Sequence, residues 1–550
     1  MTSQLAKRFI STAAALLLLP ALLLGAAQGA PQGAPQGAPQ GAPQGAPQGG
    51  TVTIALPAQP DSLNPILPGE LSSSIVQGAL FAPLTAQHPE TFEIVPYLAT
   101  SWEANADVTA WTFHLHPDAK WHDGVPLTAQ DVKFTFDRIL DPTENAQSYA
   151  DVKHVERVEV VDEHTVTFHL SQVDGLFPDR LALGALQPLP RHLFEKYAKL
   201  ADAVELNTAK PVGSGPFKLV GLQTGSYIEL AAFDDFFLGR PNLDTLVFSI
   251  VPDMNVRVAR LRAGDIDWTD IEPTHAAALA NDKRVEVIPV SSSRYAVLDF
   301  AFEGPYAPLF ADPRVRIAMA HAIDHDLILE TVGLGRGWNM NGAYIPFVLS
   351  EIPAPDIEPY AYDPELAKRI LAEAGWTDTN GDGTIDKDGR EFAFPLLVDR
   401  GNVQREQIGL ILQDEFKALG MDVEYVAAER TGRWIEDTRN RVFAARMAEF
   451  PVPNVDWFRR IYTSDGPNAR GYVNHEVDAL VQAAIQTSDR QLQGRYYQQA
   501  QELLHADPPV VPFFLREQLM AVSTRVGGVP KGELKLSTPF TYLLYVDSGR

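Results

Sequence analysis

The stretch Asp378-Thr379-Asn380-Gly381-Asp382-Gly383-Thr384-Ile385-Asp386 carries side-chain oxygens at its first, third, fifth and ninth places and glycine at its sixth. Calcium is a hard cation that takes many oxygen ligands, and a loop of this spacing can wrap it. Asp378, Asn380, Asp382 and Asp386 are therefore candidate ligands for a structural calcium ion. The twelfth place, where a bidentate glutamate belongs, is Gly389, so Asp388 or Glu391 would have to stand in. The competing reading is a solvated acidic turn. His114 and His116 lie two apart on a predicted strand and share a face, with His122 close behind. Zinc or nickel there is the weaker metal reading, because no carboxylate–histidine arrangement flanks the imidazoles. No cofactor is required.

The spacings of common hydrolases are missing. The chain has no G-x-S-x-G and no H-E-x-x-H, and Gly213-Ser214-Gly215-Pro216 is spaced wrongly for a nucleophile elbow. It has no cysteine, which removes disulfides, thiolate metal sites, a cysteine nucleophile and a lipidated N-terminal cysteine. It also lacks G-x-x-x-x-G-K-[S/T], so any energy from nucleotide hydrolysis must come from another chain.

The elements that would position these residues are mixed. Thr51–Leu56, Trp111–His116, Glu156–Val161 and Thr165–Leu170 alternate polar and apolar residues, as half-buried strands do. Thr128–Ile139 reads as a helix opened by a capping box of Thr128 and Asp131. Gly213 and Gly215 are expected to adopt positive φ before the fixed Pro216. Further on, Pro313–Ile323, Pro364–Ala374, Gln404–Ala418 and Val477–His505 have apolar residues at helical spacing. Strands recur at Val285–Pro289 and Asp422–Val426. Arg314 and Arg316 are expected to pair with nearby carboxylates. The alternation of types points to α/β lobes, and 550 residues are too many for one core.

Composition narrows the partners. Lysine and arginine number 45 against 70 acidic residues, a formal charge of −25. Such an excess repels phosphate backbones and argues against nucleic acid. Lys7 and Arg8 precede an apolar run from Phe9 to Leu24, followed by small residues at Gly25–Ala30. This is the layout of a secretory signal peptide, with cleavage expected between Gly25 and Ala30. Ala-Pro-Gln-Gly then repeats five times over residues 30–49. A tract so rich in proline and glycine cannot form a packed element and reads as a tether. The mature chain is expected to be periplasmic or otherwise extracytoplasmic, secreted and not lipidated.

Several segments, in order, resemble the bacterial extracellular solute-binding proteins of family 5, the peptide- and nickel-binding type. They are Pro60–Pro65, Leu98–Glu103, residues 111–136 (WTFHLHPDAKWHDGVPLTAQDVKFTF), Pro211–Phe217, Leu261–Asp267, Asp312–Asp324 and Tyr362–Trp376. The resemblance implies an α/β, two-lobed periplasmic-binding-protein fold of type II, in the large class with an extra domain. The ligand cleft lies between the lobes. Residues 1–30 are expected as signal peptide and 31–50 as tether from their composition. Domain I would comprise 51–92, 210–290 and 516–550, domain II would be 93–209 and domain III 291–515. The resemblance further implies a monomer that closes on a solute and delivers it to an ABC permease and its ATPase. A secreted hydrolase, or a sensor or adaptor on the same fold, are the alternatives.

Peptide binders of the family hold the ligand's α-amino group with an acidic residue in a segment that corresponds here to Arg446–Phe458. The usual aspartate position falls on Phe450 or Pro451, so Glu449 or Asp456 would have to replace it. That departure puts simple peptide specificity in doubt. Tyr295, Trp434, Phe450 and Trp457 are the candidate aromatic walls of the cleft. Arg294 and Arg446 are candidates for bidentate contact with a ligand carboxylate.

Overall fold

The computed structural model describes residues 46–91, 93–182, 186–345, 352, 355, 357–429, 443–451, 456–466, 471–529 and 539–547. The signal-like segment, most of the repeat and Trp434 lie outside them.

Thr51–Leu56 forms a strand flanked by parallel Thr245–Ile250 and Trp268–Ile271. Ala110–Leu115 buries Trp111, Phe113 and Leu115 on one face, as its alternation requires. It pairs antiparallel with Ala99–Ala104 and Thr165–Leu170, and Val155–Asp162 completes a four-stranded sheet. The helix Ala129–Ile139 begins where the Asp131 carboxylate accepts from the Thr128 backbone N–H at 2.9 Å.

A second sheet carries 11 strands among the described residues and runs through the whole molecule. Its axis is a pair of long antiparallel strands, Val285–Phe300 and Val510–Ser523. At about 3.3 Å per residue the first spans about 50 Å, longer than one core needs. One end of the pair joins Trp268–Ile271 and, through it, Thr51–Leu56. The other end joins Ala445–Pro451, which itself lies parallel to Ala393–Asp399. Between these ends the pairing shifts register twice, at Ser291/Tyr295 and Tyr295/Val297.

The buried apolar residues follow this division. One cluster draws mainly on residues 52–248, with contributions from 520–544. Two others draw mainly on residues 295–515, and a small cluster built on Ile271, Val285 and Leu519 sits where the long strands enter the first. The fold is a two-lobed α/β architecture whose lobes are joined by crossing strands.

Two expectations need correction. The helical pattern over Val477–His505 is two helices, His475–Ile485 and Arg490–Ala506. Asp489 starts the second by accepting from the backbone N–H groups of Gln491 and Leu492. Gly213 and Gly215 do not adopt positive φ. They are glycine because of close approach: an added Cβ would meet the Leu80 carbonyl oxygen at 1.8 Å and the Ala79 carbonyl oxygen at 2.6 Å. Arg314 and Arg316 do pair with carboxylates, those of Asp312 and Asp507.

Candidate functional site

Ala393–Asp399 and Asp422–Ala428 are parallel, and the helix Val403–Ala418 connects them. In open α/β sheets, ligand sites form beyond the carboxyl ends of such strands. Here Asp399 ends its strand, and Asn402 caps the helix by accepting from the Arg405 backbone N–H at 3.0 Å. The first helical turn therefore projects Gln404 and Arg405 at the sheet edge. With Glu449, Asn402, Ile408 and Phe514 they line a small pocket of about 20 Å³, enough for one or two waters.

Arg405 holds this corner together. Its guanidinium donates to Glu449 at 3.0 Å and to Asp399 on the other side. Two carboxylates thus face one guanidinium. Asp399 is 4% exposed, and its Oδ1 has no hydrogen-bond partner. Glu449 is half-buried and still reaches the surface of the pocket. Arg405, Gln404 and Asn402 were missed in the sequence. A strand end followed by an asparagine cap and polar residues is the signal that points to them.

The other candidates separate into accessible and sealed. Arg294 is exposed, at the register shift of the crossing strand. Trp457 is half-buried, with the Arg460 guanidinium 4.6 Å from its ring centre. Tyr295, Phe450 and Arg446, by contrast, are buried. Tyr295 is fully buried, and its hydroxyl donates to the Tyr344 carbonyl at 3.1 Å. Burial pushes its phenol up. Phe450 packs edge-on to it. Arg446 lies opposite Asp299 in register and donates to it at 2.7 Å, with 4% and 1% of the two residues exposed. Asp456 is buried too, accepting from Arg180 at 2.9 Å.

The acidic loop points inward on itself. Asp378 accepts from the backbone N–H groups of Gly381 and Gly383. Asn380 accepts from the Asp382 N–H, and Asp382 from that of Thr384. Asp386 is buried and takes the Thr379 N–H at 2.9 Å and its hydroxyl at 2.7 Å. This is the geometry of successive Asx turns. Among the described residues no group of three or more histidine, aspartate or glutamate side chains is placed to hold a metal ion. His122 is also spoken for. Its Nδ1 accepts from the Gly213 N–H, its Nε2 donates to the Gly215 carbonyl, and burial lowers its pKa to about 4.

Comparison with known proteins agrees with this architecture. The oligopeptide-binding protein AppA of Bacillus subtilis is 30% identical over 501 residues, covering 88% of this chain and 90% of the relative. The heme-binding protein A of Haemophilus influenzae is 28% identical over 484 residues, covering 82% and 83%. The structure of AppA in complex with a nonapeptide superposes with a TM-score of 0.68 over 92% of this chain and all of that one, at 28% identity. Residues 93–469 match the sequence profile described as the middle region of the bacterial extracellular solute-binding proteins, family 5. The two lobes, the crossing strands and these matches together place the chain in that family: it is a bacterial extracellular solute-binding protein of family 5.

Proposed function

We propose that the chain is the extracytoplasmic binding subunit of an ABC importer, which takes up a peptide-like or other small organic solute and hands it intact to a membrane permease. The observation that carries this is the two-lobed architecture joined by crossing strands, in a chain whose residues 93–469 match the family profile. Its support from relatives is coverage of 90% of an oligopeptide-binding protein. The first lobe is proposed as residues 51–92, 210–290 and 516–550 with the insertion 93–209, and the second as 291–515. Glu449, Arg405, Trp457 and Arg294 are the proposed contacts.

A solute that touches both lobes binds the closed state better and shifts the population toward it. The register shifts at Ser291–Val297 are where the crossing strands would flex. No covalent chemistry is needed, and the chain works as a monomer. With no cysteine it has no site for thioether lipidation. Among the described residues no helix is long and apolar enough to cross a membrane. The proposed protein is secreted and released.

A thermal-shift screen of the mature protein tests this, with mass spectrometry of co-purified solute. The set comprises dipeptides to hexapeptides, oligosaccharides, opines, glutathione, heme and nickel chelates. A ligand at a hundred times its dissociation constant stabilises by about 2.7 kcal/mol. A shift with an organic solute, recovered unchanged, supports the reading. Chemical conversion of the bound compound overturns it.

A further inference from the structure

The lobes touch a second time, far along the chain from the crossing strands. Asp174–Arg180 is rooted in the first lobe: Phe177 and Leu181 lie in its core, and the Trp111 indole donates to the Asp174 carbonyl at 2.9 Å. Leu176, between Asp174 and Phe177, is buried in the other lobe's cluster with Tyr295, Phe458 and Tyr497. The Gly175 N–H donates to the Ile485 carbonyl at 2.7 Å. The fit leaves no room there, since a Cβ on Gly175 would lie 1.9 Å from the Thr487 carbonyl oxygen.

Charge surrounds this apolar plug. Arg180 donates to Asp174 in its own lobe at 2.7 Å and to Asp456 in the other at 2.9 Å, all three being 8% exposed or less. His154 adds a contact to Asp174 at 2.9 Å. Arg490 clasps Asp179 across the same seam, and Arg460 reaches Asp151 at 3.3 Å. The seam therefore contains one leucine and at least three cross-lobe ion pairs. An apolar interface of this kind would be permanent, but buried ion pairs lie near break-even against hydration of the separated charges. Polar contacts between parts of one chain are where relative motion is the default.

We propose that Asp174–Arg180 is a latch that holds the two lobes together before any solute arrives, with Arg180 as its bolt between Asp174 and Asp456. The inference rests on the two-lobe reading but not on which solute is bound. The latch keeps a closed population ready, so that solute contacts need supply only part of the closing free energy.

The chain has no cysteine, so spin labels attach only where cysteine is introduced. Glu156→Cys, on the four-stranded sheet, and Glu476→Cys, on the helix His475–Ile485, are exposed sites on opposite lobes. Pulsed electron-electron resonance between them, without solute, reads the lobe separation. In the labelled parent the distribution is expected to contain a short-distance, closed component beside a longer, open one. It should lengthen with Arg180→Met, with Arg490→Gln, and with Gly175→Ala, which wedges the seam and leaves every charge in place. Circular dichroism checks that each variant folds. If Arg180→Met does not fold, the other two decide. Distributions that superimpose on the parent overturn the latch. A chain that bound no solute would still give the expected result, so failure of the solute reading is seen separately, in the thermal-shift screen.

Discussion

Glu449 keeps its carboxylate at a pocket where one guanidinium, that of Arg405, faces it at 3.0 Å. A solute ammonium placed there gains a charge-assisted hydrogen bond, worth roughly 1.5–3 kcal/mol. Glu449→Gln should therefore weaken a cationic solute by roughly tenfold or more in calorimetric titration. A solute that offers a carboxylate to Arg405 should bind more tightly in the same variant, because the guanidinium is released. An unchanged dissociation constant removes Glu449 from the site. Arg446 makes a contrasting case. Its partner Asp299 is 1% exposed, so Arg446→Met takes a charged donor away from a buried carboxylate. It should cost about 3–5 kcal/mol in urea unfolding and leave solute contacts untouched. The sequence could not separate these two residues. Ala445–Ala448 and Phe450 are all buried, because strands flank Ala445–Pro451 on both sides and its faces do not alternate. Without alternation, nothing in the residue types says that Glu449 is accessible and Arg446 is not.

Elements with clean periodicity were legible to within a residue or two. Thr51–Leu56, Ala129–Ile139 and Val403–Ala418 are of this kind. The crossing strand was not: only Val285–Pro289 reads as a strand, because Ser291-Ser292-Ser293 carries no apolar pattern, and its pairing comes from Val510–Ser523 and Ala445–Pro451, both far along the chain. Element junctions also hide charge. Glu415, on the helix Val403–Ala418, accepts from the Asp324 N–H at 3.0 Å, where the helix His325–Thr331 begins. Burial, then the nearby Asp324 and Asp414, raise its carboxyl from 4.5 to about 7. The folded state thus holds this proton more tightly than the unfolded chain. The stability it contributes is complete below pH 4.5 and is lost as pH rises through 7. Glu415→Gln keeps the acceptor and removes the titration. Between pH 4.5 and 8 the native protein should lose about 2 kcal/mol more than the variant, allowing for partial exposure. Urea midpoints at both pH values measure this. His122 and His325, both lowered to about 4, work in the opposite sense but equally in both proteins. Their difference therefore isolates Glu415.

At the scale of the whole molecule, two sets of buried clusters share one chain and, among the described residues, meet along the crossing strands and the Asp174–Arg180 seam. Family segments in the sequence announced this arrangement, but no local pattern could show that residues 180 and 456 meet, since that pairing exists only once both lobes have formed. Each lobe buries enough apolar surface to unfold as its own unit, while the seam couples them through few contacts. The coupling should therefore be incomplete. In scanning calorimetry without solute, the van't Hoff enthalpy should fall below the calorimetric enthalpy, the mark of more than one cooperative step. A solute that bridges the lobes binds only where both are folded, so saturating it should raise the upper transition and draw the ratio toward one. Gly175→Ala should lower the ratio further before solute is added, because its Cβ parts the seam at the Thr487 carbonyl. A solute that raises one transition and leaves the ratio unchanged would sit on a single lobe, and closure about it would not follow.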